Sequence, residues 1–126
     1  AFYCLDPVTG VRWTYRAAAR ITAAAAVKPD GDVLFGSADR HLYCVREGQL
    51  RWKFATAGAI FSAPAVDRAG AVYFGSNDGH LYAVTAQGEL LWKMPLGNEI
   101  HASPAFDFEG RLYVGVLHGL LVCISD

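Results

Sequence analysis

The spacing of the three tryptophans constrains the fold of this chain more than any other feature of its sequence. Trp13, Trp52 and Trp92 are 39 and 40 residues apart, and an isoleucine follows each of them after eight residues. Self-similarity at a fixed period of roughly 20 to 50 residues is typical of solenoids, propellers and other repeat arrays. The chain is therefore predicted to fold as a series of similar units, each of which buries its apolar faces against its neighbours.

Each repeat contains four short segments separated by turns, the first rich in small residues and the others in β-branched, aromatic and other apolar residues. Short runs of this kind, separated by turn signals roughly every eight to twelve residues, are typical of antiparallel strands. We name the segments A, B, C and D in chain order, beginning with the segment that each isoleucine introduces. The copies of A are residues 22–27, 61–66 and 101–106, those of B are 33–36, 72–75 and 112–115, and those of C are 2–5, 42–45, 81–84 and 121–124.

The four segments differ in the pattern of their apolar residues. Segments B and C are apolar on both faces, so they should lie between neighbouring sheets. Segment A contains Pro64 and Pro104, and proline is confined to edge strands because it has no N–H. Segment D alternates between two faces, with Leu50, Trp52 and Phe54 on one and Arg51 and Lys53 on the other. An inner edge strand, two buried middle strands and a half-exposed outer strand describe one blade of a propeller.

The sequence therefore predicts an all-β fold, a β-propeller of four-stranded antiparallel blades. About three blades are present in a single domain over residues 1–126, as a partial propeller or as half of an oligomeric ring. The repeats are approximately 2–41, 42–80 and 81–120, and residues 121–126 start a further repeat. The alanine-rich residues 17–26 have the highest helix propensity in the chain. They align residue for residue with two copies that contain proline, so we predict no helix there.

Composition excludes several classes of function. The chain is 53% hydrophobic and 18% charged, with a formal net charge of -1, which argues against disorder and against a basic surface for nucleic acid. Its uninterrupted apolar stretches, such as residues 23–27, are far shorter than the roughly 18 residues of a membrane-spanning helix. We therefore expect neither a nucleic-acid partner nor a membrane span.

A sequence motif links the chain to a known family. Residues 81–93 read LYAVTAQGELLWK and resemble the tryptophan-docking motif of PQQ-like (quinoprotein-type) β-propeller repeats. That motif has a small residue on strand C, a glycine in the following turn and a tryptophan on strand D. Residues 4–13 match it with one residue missing between Gly10 and Trp13, and the copy at 44–52 has Arg46 where the motif has aspartate.

The resemblance implies a structural docking role for the matching residues. These are Trp13, Trp52, Trp92, Cys4, Cys44, Ala83, Cys123, Gly10, Gly48 and Gly88. A tryptophan ring fits between two blades only where the residue beneath it is small. Replacing Trp52 or Trp92 by alanine should therefore cost about 3 to 5 kcal/mol, and replacing Trp13 should cost less.

The cysteines occupy the same position in the repeat as Ala83. Cys4, Cys44 and Cys123 are thus interpreted as small core residues. Equivalent positions on successive blades should be farther apart than the roughly 7 Å that a disulfide spans between Cα atoms. We expect all three thiols to be buried, unpaired and reactive only after denaturation.

Candidate contact residues lie where the copies differ. His41 and His80 are equivalent and are interpreted as repeated surface residues. His101 stands one residue past Ile100, where the previous copy has Phe61, so both are candidates for lining a central channel. In the third copy, the polar turn between B and C is replaced by Val116, Leu117 and His118. Exposed apolar residues at that turn indicate contact with a partner.

The family resemblance bears on function. PQQ-dependent dehydrogenases hold their quinone and Ca²⁺ on the axis of eight blades with a carboxylate base, metal-binding Asn and Glu, and often two adjacent cysteines. This chain has isolated cysteines and no acid on an inner strand. We therefore expect a scaffold or binding module for protein–protein interaction, with no catalytic residues, cofactor or metal site. A ligand-sensing propeller and a fragment of a PQQ-dependent dehydrogenase remain as alternatives.

Strand counting predicts how the chain associates. It gives C and D at the start, two complete blades, and A, B and C at the end, and three blades cannot close a ring that needs at least four. Further propeller blades, a second copy of the chain that completes a ring, or a protein partner should therefore cover the ends. The family resemblance favours the bacterial periplasm, whereas unpaired cysteines favour a reducing compartment. The sequence therefore predicts no single cellular location.

Overall fold

In the computed structural model, which describes residues 1–117 and 119–125, the chain is all β. No helix long and apolar enough to cross a membrane occurs among those residues. The thirteen strands of the described residues are β1 (Phe2–Asp6), β2 (Gly10–Tyr15), β3 (Ala26–Val27), β4 (Val33–Gly36), β5 (His41–Arg46), β6 (Gln49–Ala55), β7 (Ala65–Val66), β8 (Val72–Gly75), β9 (His80–Val84), β10 (Leu90–Pro95), β11 (Ala105–Phe106), β12 (Leu112–Val116) and β13 (Leu120–Ile124).

The strands form four antiparallel sheets that correspond to successive blades. β1 and β2 form the first sheet, β3 to β6 the second, β7 to β10 the third and β11 to β13 the fourth. Within each sheet the strands pair in chain order, so every connection is a hairpin. The predicted propeller architecture is confirmed, with two strands at the start, two complete blades and three strands at the end.

Strand A is shorter than the sequence pattern predicts. β3, β7 and β11 each contain two residues, whereas the aligned segments contain six. Pro64 and Pro104 immediately precede β7 and β11, and a proline cannot donate a ladder hydrogen bond. The short strands lie at one edge of their sheets, as predicted for proline-bearing segments. Ala26 belongs to β3, and residues 17–25 form no helix.

The core lies between the sheets. In β5, Leu42 and Cys44 contribute to the cluster shared with the following sheet, while Tyr43 and Val45 contribute to the cluster shared with the preceding one. All four are buried, as expected for a middle strand that is covered on both faces. The aligned residues 81–84 of β9 repeat this arrangement.

A β-bulge precedes each tryptophan. The register of the ladder shifts between Cys4 and Leu5, between Cys44 and Val45, and between Leu90 and Trp92. The bulge interrupts the predicted alternation of strand D, so Leu50 remains 43% exposed and does not share the half-buried face of Trp52 and Phe54.

The two terminal sheets each leave one apolar face uncovered. Tyr3 and Leu5 are 58% and 63% exposed, whereas their counterparts Tyr43 and Val45 are 4% and 0% exposed. At the other end Leu121 is 67% exposed, and its counterpart Leu42 is fully buried. We call these surfaces the N-terminal open face (Tyr3, Leu5) and the C-terminal open face (Leu121, Cys123). Both correspond to surfaces that the inner blades bury against each other.

Candidate functional site

The loops between strands D and A and the turns between strands B and C meet at one end of the molecule, which we call the loop end. Backbone hydrogen bonds join them in the same way in each repeat. The N–H of Ala38 donates to the carbonyl of Arg20 at 2.9 Å, and the N–H of Asn77 donates to that of Ala59 at 2.9 Å. The third such bond, from Leu117 to Glu99, is 3.2 Å long. The loop end is therefore a continuous rim across three blades.

An aspartate in the turn between B and C anchors the rim in the second sheet. Oδ2 of Asp39 accepts hydrogen bonds from the Tyr43 hydroxyl and from the N–H of Ala18, and Oδ1 accepts from the N–H of His41. Burial raises the pKa of the Asp39 carboxyl, but these hydrogen bonds outweigh burial and hold that pKa below its ordinary value. Burial and the neighbouring carboxylate raise the pKa of Tyr43 to about 12.

The third sheet repeats this anchor. Asp78 accepts hydrogen bonds from the Tyr82 hydroxyl, the N–H of His80 and the N–H of Ala57. In the sequence this aspartate is part of the polar turn between B and C, and no role was predicted for it. The recurrence of Asp four residues before Tyr in two copies was the available signal. Because the N–H of Ala57 belongs to the preceding loop, the anchor joins one blade to the next.

Replacement of Asp78 by asparagine should lower stability at neutral pH by about 1 to 3 kcal/mol, because buried partners lose a charged acceptor. The pKa of Asp78 is lowered: burial raises it, but hydrogen bonds from Tyr82, His80 and Ala57 prevail. Its contribution is therefore present above the unfolded pKa and lost as pH falls through the folded pKa.

Urea unfolding of the parent and the Asp78→Asn variant at a series of pH values checks this prediction. The difference in unfolding free energy should shrink as the solution becomes acidic. Glu89→Gln, which removes an exposed carboxylate, is the matched control and should behave like the parent at every pH. A constant difference between parent and Asp78→Asn down to strongly acidic pH would show that the carboxylate charge is unimportant.

In the third copy this turn has Val116, Leu117 and His118 where the second copy has Ser76, Asn77 and Asp78. Val116 stands at the position of Ser76 and is 7% exposed, so the expectation that it is exposed was wrong. It packs in the cluster that Ile100 and Val114 also form. Leu117 is 39% exposed. His118 lies outside the described residues.

A strip of polar and aromatic side chains crosses the loop end. The Arg20 guanidinium lies 5.6 Å above the ring centroid of Phe61, and the Phe61 and His101 rings meet edge to face at 5.7 Å. Nε2 of His101 is 3.0 Å from Oε2 of Glu99. The structure thus brings the two candidate channel residues, Phe61 and His101, into direct contact. Arg20 and Glu99 extend the strip at both ends, and sequence reasoning did not single them out.

A cavity of about 340 Å³ opens beside this strip in the third sheet. Its lining includes Asn77, His80, Asn98 and Glu99. Oδ1 of Asn77 has no hydrogen-bond partner among the described residues, and Nδ1 of His80 lies 3.3 Å from Oδ1 of Asp78 without forming a hydrogen bond. His80 and the equivalent His41 lie against the tyrosines of their strands, at 6.0 and 6.1 Å between ring centroids. No group of metal-ligating side chains occurs in residues 1–117 and 119–125.

The tryptophan positions lie away from the loop end. Each tryptophan is the cross-strand partner of the small residue that the motif assigns to it: Cys4 with Trp13, Cys44 with Trp52 and Ala83 with Trp92. The rings also reach the following blade. A Cβ added to Gly48 would lie 3.2 Å from Cβ of Trp13, and one added to Gly88 would lie 2.5 Å from Cδ2 of Trp52. Gly10 has a positive φ and open space around it.

Trp52 makes a hydrogen bond that the other two tryptophans lack among the described residues. Its Nε1 donates to the carbonyl of Ala86 on the next blade at 3.0 Å. Trp92 has no turn of a following blade to contact within the described chain, and it packs instead near Tyr73, at 6.0 Å between ring centroids. The three tryptophans therefore occupy equivalent positions with unequal surroundings.

The cysteines are unpaired but differ in burial. Cys44 is fully buried, Cys4 is half-buried and Cys123 is exposed. The expectation that all three are buried was wrong, because Cys4 belongs to the two-stranded sheet and Cys123 to the C-terminal open face. Burial and the nearby Asp32 raise the pKa of the Cys44 thiol to about 12.

We expect thiol alkylation to follow this order. Iodoacetamide should label Cys123 first and Cys4 more slowly, and it should label Cys44 only after denaturation, because the reagent needs access to the thiolate. Mass spectrometry of peptides from a time course measures the three rates. Native labelling of Cys44 as fast as Cys123 would contradict the burial of strand C.

Comparisons with known proteins give the chain its family. The family described as outer membrane protein assembly factor BamB matches residues 2–87, which is more than half of the chain. No curated protein matches the sequence significantly.

Two solved structures are similar in fold. BamB from Moraxella catarrhalis superimposes with a TM-score of 0.77 at 23% identity over 94% of this chain. The WD40 β-propeller domain of Doa1 superimposes with a TM-score of 0.74 at 18% identity over 82% of this chain. The chain spans 41% and 36% of the lengths of those two structures. Together with the repeated four-stranded sheets and the tryptophan positions, the family match shows that this chain belongs to the BamB family of PQQ-like β-propellers.

Proposed function

We propose that this chain is part of a non-catalytic propeller scaffold that binds a protein partner at its loop end. The observation that carries the proposal is the strip of Arg20, Phe61, His101 and Glu99. Its members touch one another across three blades and remain partly exposed. The match to a family described as an assembly factor supports a role in protein association.

The strip is not required by the fold. Positions that pack between blades hold similar residues in every copy, whereas Phe61 and His101 stand where the first copy has Thr22. Glu99 likewise stands where the second copy has Ala59. Residues that vary between copies of one structural unit, and that lie exposed at the end of a rigid scaffold, are free to serve binding.

A peptide-display selection on the immobilised chain tests this proposal. Enriched peptides should bind at least about tenfold more weakly after combined Phe61→Ala and Leu117→Ala substitution, because central apolar contacts dominate such interfaces. Phe108→Ala is the matched control, since Phe108 is fully exposed in a turn between A and B at the opposite end. Failure to enrich any peptide, or an equal loss of binding with Phe108→Ala, would contradict the proposal.

The open faces extend the scaffold proposal to the rest of the ring. The fourth sheet lacks the D strand that β2 supplies in the first sheet. Leu121 and Tyr3 would be covered by further propeller blades of a longer chain, or by strands from a second copy of this chain. Their counterparts Leu42 and Tyr43 are covered in this way by the neighbouring blades. The length of the similar structures favours further blades.

The enzyme alternative makes a different prediction. PQQ-dependent dehydrogenases, which the family resemblance includes, often use two adjacent cysteines. In this chain, Cys4, Cys44 and Cys123 instead lie on three different sheets. We expect no visible absorption band when PQQ and Ca²⁺ are added to the protein. A saturable band would favour a fragment of a quinoprotein enzyme.

The cavity beside His80 favours ligand sensing as the second candidate function. A volume of about 340 Å³ lined by Asn77, Asp78, His80 and Asn98 suits a small polar molecule such as a sugar. Thermal shift measurements with a panel of sugars, on the parent and on Asn77→Ala, test this candidate. A shift that disappears with Asn77→Ala would favour sensing over the scaffold role.

A further inference from the structure

The first complete copy of the repeat carries three arginines at the loop end that both other copies lack. Arg16, Arg20 and Arg40 stand where the second copy has Ala55, Ala59 and Gly79 and the third has Pro95, Glu99 and Gly119. All three arginines are exposed. The blade fold does not need positive charge at these positions, because neither of the other copies has it.

The backbone brings the three arginines to one corner. The N–H of Ala18 donates to the carboxylate of Asp39, which ties the loop that contains Arg16 to the residue before Arg40. Arg20 accepts a hydrogen bond from Ala38 in the same turn. Because consecutive Cα atoms are about 3.8 Å apart, these bonds place the three Cα atoms within roughly 20 Å of one another. We call this surface the basic corner (Arg16, Arg20, Arg40).

Arg40 has a backbone conformation that glycine adopts more easily, so folding does not favour an arginine at this position. Its φ is 76°, in the left-handed region, where the equivalent Gly79 has a φ of 86°. The backbone bonds are the same in both turns, because Thr56 donates to Arg40 at 2.8 Å as Leu96 donates to Gly79. Glycine therefore serves this turn without strain, and an arginine there is disfavoured.

None of the three guanidinium groups forms an ion pair with a carboxylate of the described residues. Asp39, which directly precedes Arg40, has its oxygens engaged by Tyr43, Ala18 and His41. By contrast, Arg46 is paired with Asp30 and Asp32. The Arg20 guanidinium lies 5.6 Å from the centroid of the Phe61 ring. Because this contact already restricts the arginine side chain, the side chain loses less conformational entropy when a partner binds.

We propose that the basic corner binds an acidic segment of the partner protein, with Phe61 providing an apolar contact beside it. This inference rests on the proposed function and names the chemistry of the partner. Guanidinium groups recognise carboxylates through paired hydrogen bonds, and three of them within reach of one extended peptide match a run of Asp or Glu residues. Nucleic acid fits the chain less well, because its formal net charge is -1.

Fluorescence anisotropy with a labelled peptide of alternating glutamate and serine tests the inference. The parent should bind this peptide at low salt and should not bind its lysine counterpart. Arg16→Ala, Arg20→Ala and Arg40→Gly, combined, install the residues of the second copy and should weaken binding about tenfold or more. The variant should melt no lower than the parent, because its new residues are those that the second copy already uses and the strain at residue 40 is relieved.

Two further variants keep the result unambiguous. Arg12→Ala, Arg68→Ala and Arg111→Ala, combined, remove the same charge at the opposite end of the strands and should leave binding within about twofold of the parent. Ala55→Arg, Ala59→Arg and Gly79→Arg build a second basic corner and should strengthen binding. Equal losses in the two charge-removal variants would overturn the inference, because they would reveal an effect of net charge alone.

The outcomes also separate this inference from the scaffold proposal. If the acidic peptide does not bind while displayed peptides still depend on Phe61, the inference fails and the scaffold proposal stands. If no peptide binds by either method, both fail. Phosphatidylserine vesicles that bind through the basic corner while the acidic peptide does not would identify an anionic lipid surface instead, and would overturn the inference.

Discussion

Replacing Trp52 by alanine should lower the unfolding free energy by about 3 to 5 kcal/mol, whereas the same change at Trp13, and also at Trp92 in contrast to the sequence-based prediction, should cost less. The Trp52 ring lies on Gly88 of the following blade, and its Nε1 donates to the carbonyl of Ala86. The substitution therefore removes an interface contact and a hydrogen bond together. Urea unfolding monitored by circular dichroism measures the change in each variant.

The glycine under the ring supplies the reciprocal test. A Cβ on Gly88 would lie 2.5 Å from Cδ2 of Trp52, and φ at Gly88 is +86°. Gly97 has nearly the same φ, +85°, with no atom within 4 Å of the added Cβ. Gly88→Ala should thus destabilise the chain more than Gly97→Ala, and the difference measures the contact. Equal effects of the two glycine variants, or parent-like melting of all three tryptophan variants, would show that the rings do not dock the blades.

Replacing Gly75 by alanine should also cost about 3 kcal/mol, because the new methyl group has no room. A Cβ there would lie 2.1 Å from Cγ2 of Ile100, which is fully buried. The Ser62 hydroxyl fixes this backbone from both sides, since it accepts from the N–H of Gly75 at 2.9 Å and donates to its carbonyl at 3.1 Å. Neither side of the contact can move away easily.

Gly115 provides the matched control for Gly75. It occupies the same position in the third copy, and a Cβ there would meet Ala102 at 3.5 Å, an ordinary contact distance. Gly115→Ala should change the unfolding free energy by less than about 1 kcal/mol. A similar loss for both variants would show that glycine is needed at this position for its backbone and not for its lack of a side chain.

The glycines at the end of strand B explain why the repeat can be recognised in the sequence. Ile60 packs on Gly36, and Ile100 packs on Gly75, so an isoleucine of each blade fills the space above a glycine of the preceding one. Each contact constrains two positions at once, and the constraint recurs about every 40 residues. Fold class, strand order and the absence of a helix in residues 17–26 followed from this recurrence.

Features that depend on neighbours outside a repeat were not predictable. The sequence pattern makes Cys4, Cys44 and Cys123 equivalent, but their burial depends on whether a blade covers them. The bulge before each tryptophan also gave no clear signal, because Arg12, Arg51 and Leu91 share no property that marks an unpaired residue. Both results arise from sheet pairing and blade number, which local patterns do not encode.

The candidate site was partly predictable. Phe61, His101 and Leu117 were identified because they depart from the repeat, and the structure places them at the loop end. Val116 departs from the repeat in the same way, yet it is buried, because its position is buried in every copy: the equivalent Ser37 and Ser76 are also buried. Arg20 and Glu99 were missed because their roles depend on contacts across blades.

The mass of the particle in solution tests the central claim, that these residues are three blades of a larger ring, most directly. Light scattering of the purified chain should give either a stable two-chain particle, in which copies cover each other's open faces, or polydisperse aggregates through those faces. Adding a chain that supplies the remaining blades should convert aggregates into one defined complex. A monodisperse monomer of 13.6 kDa that stays folded would contradict the claim.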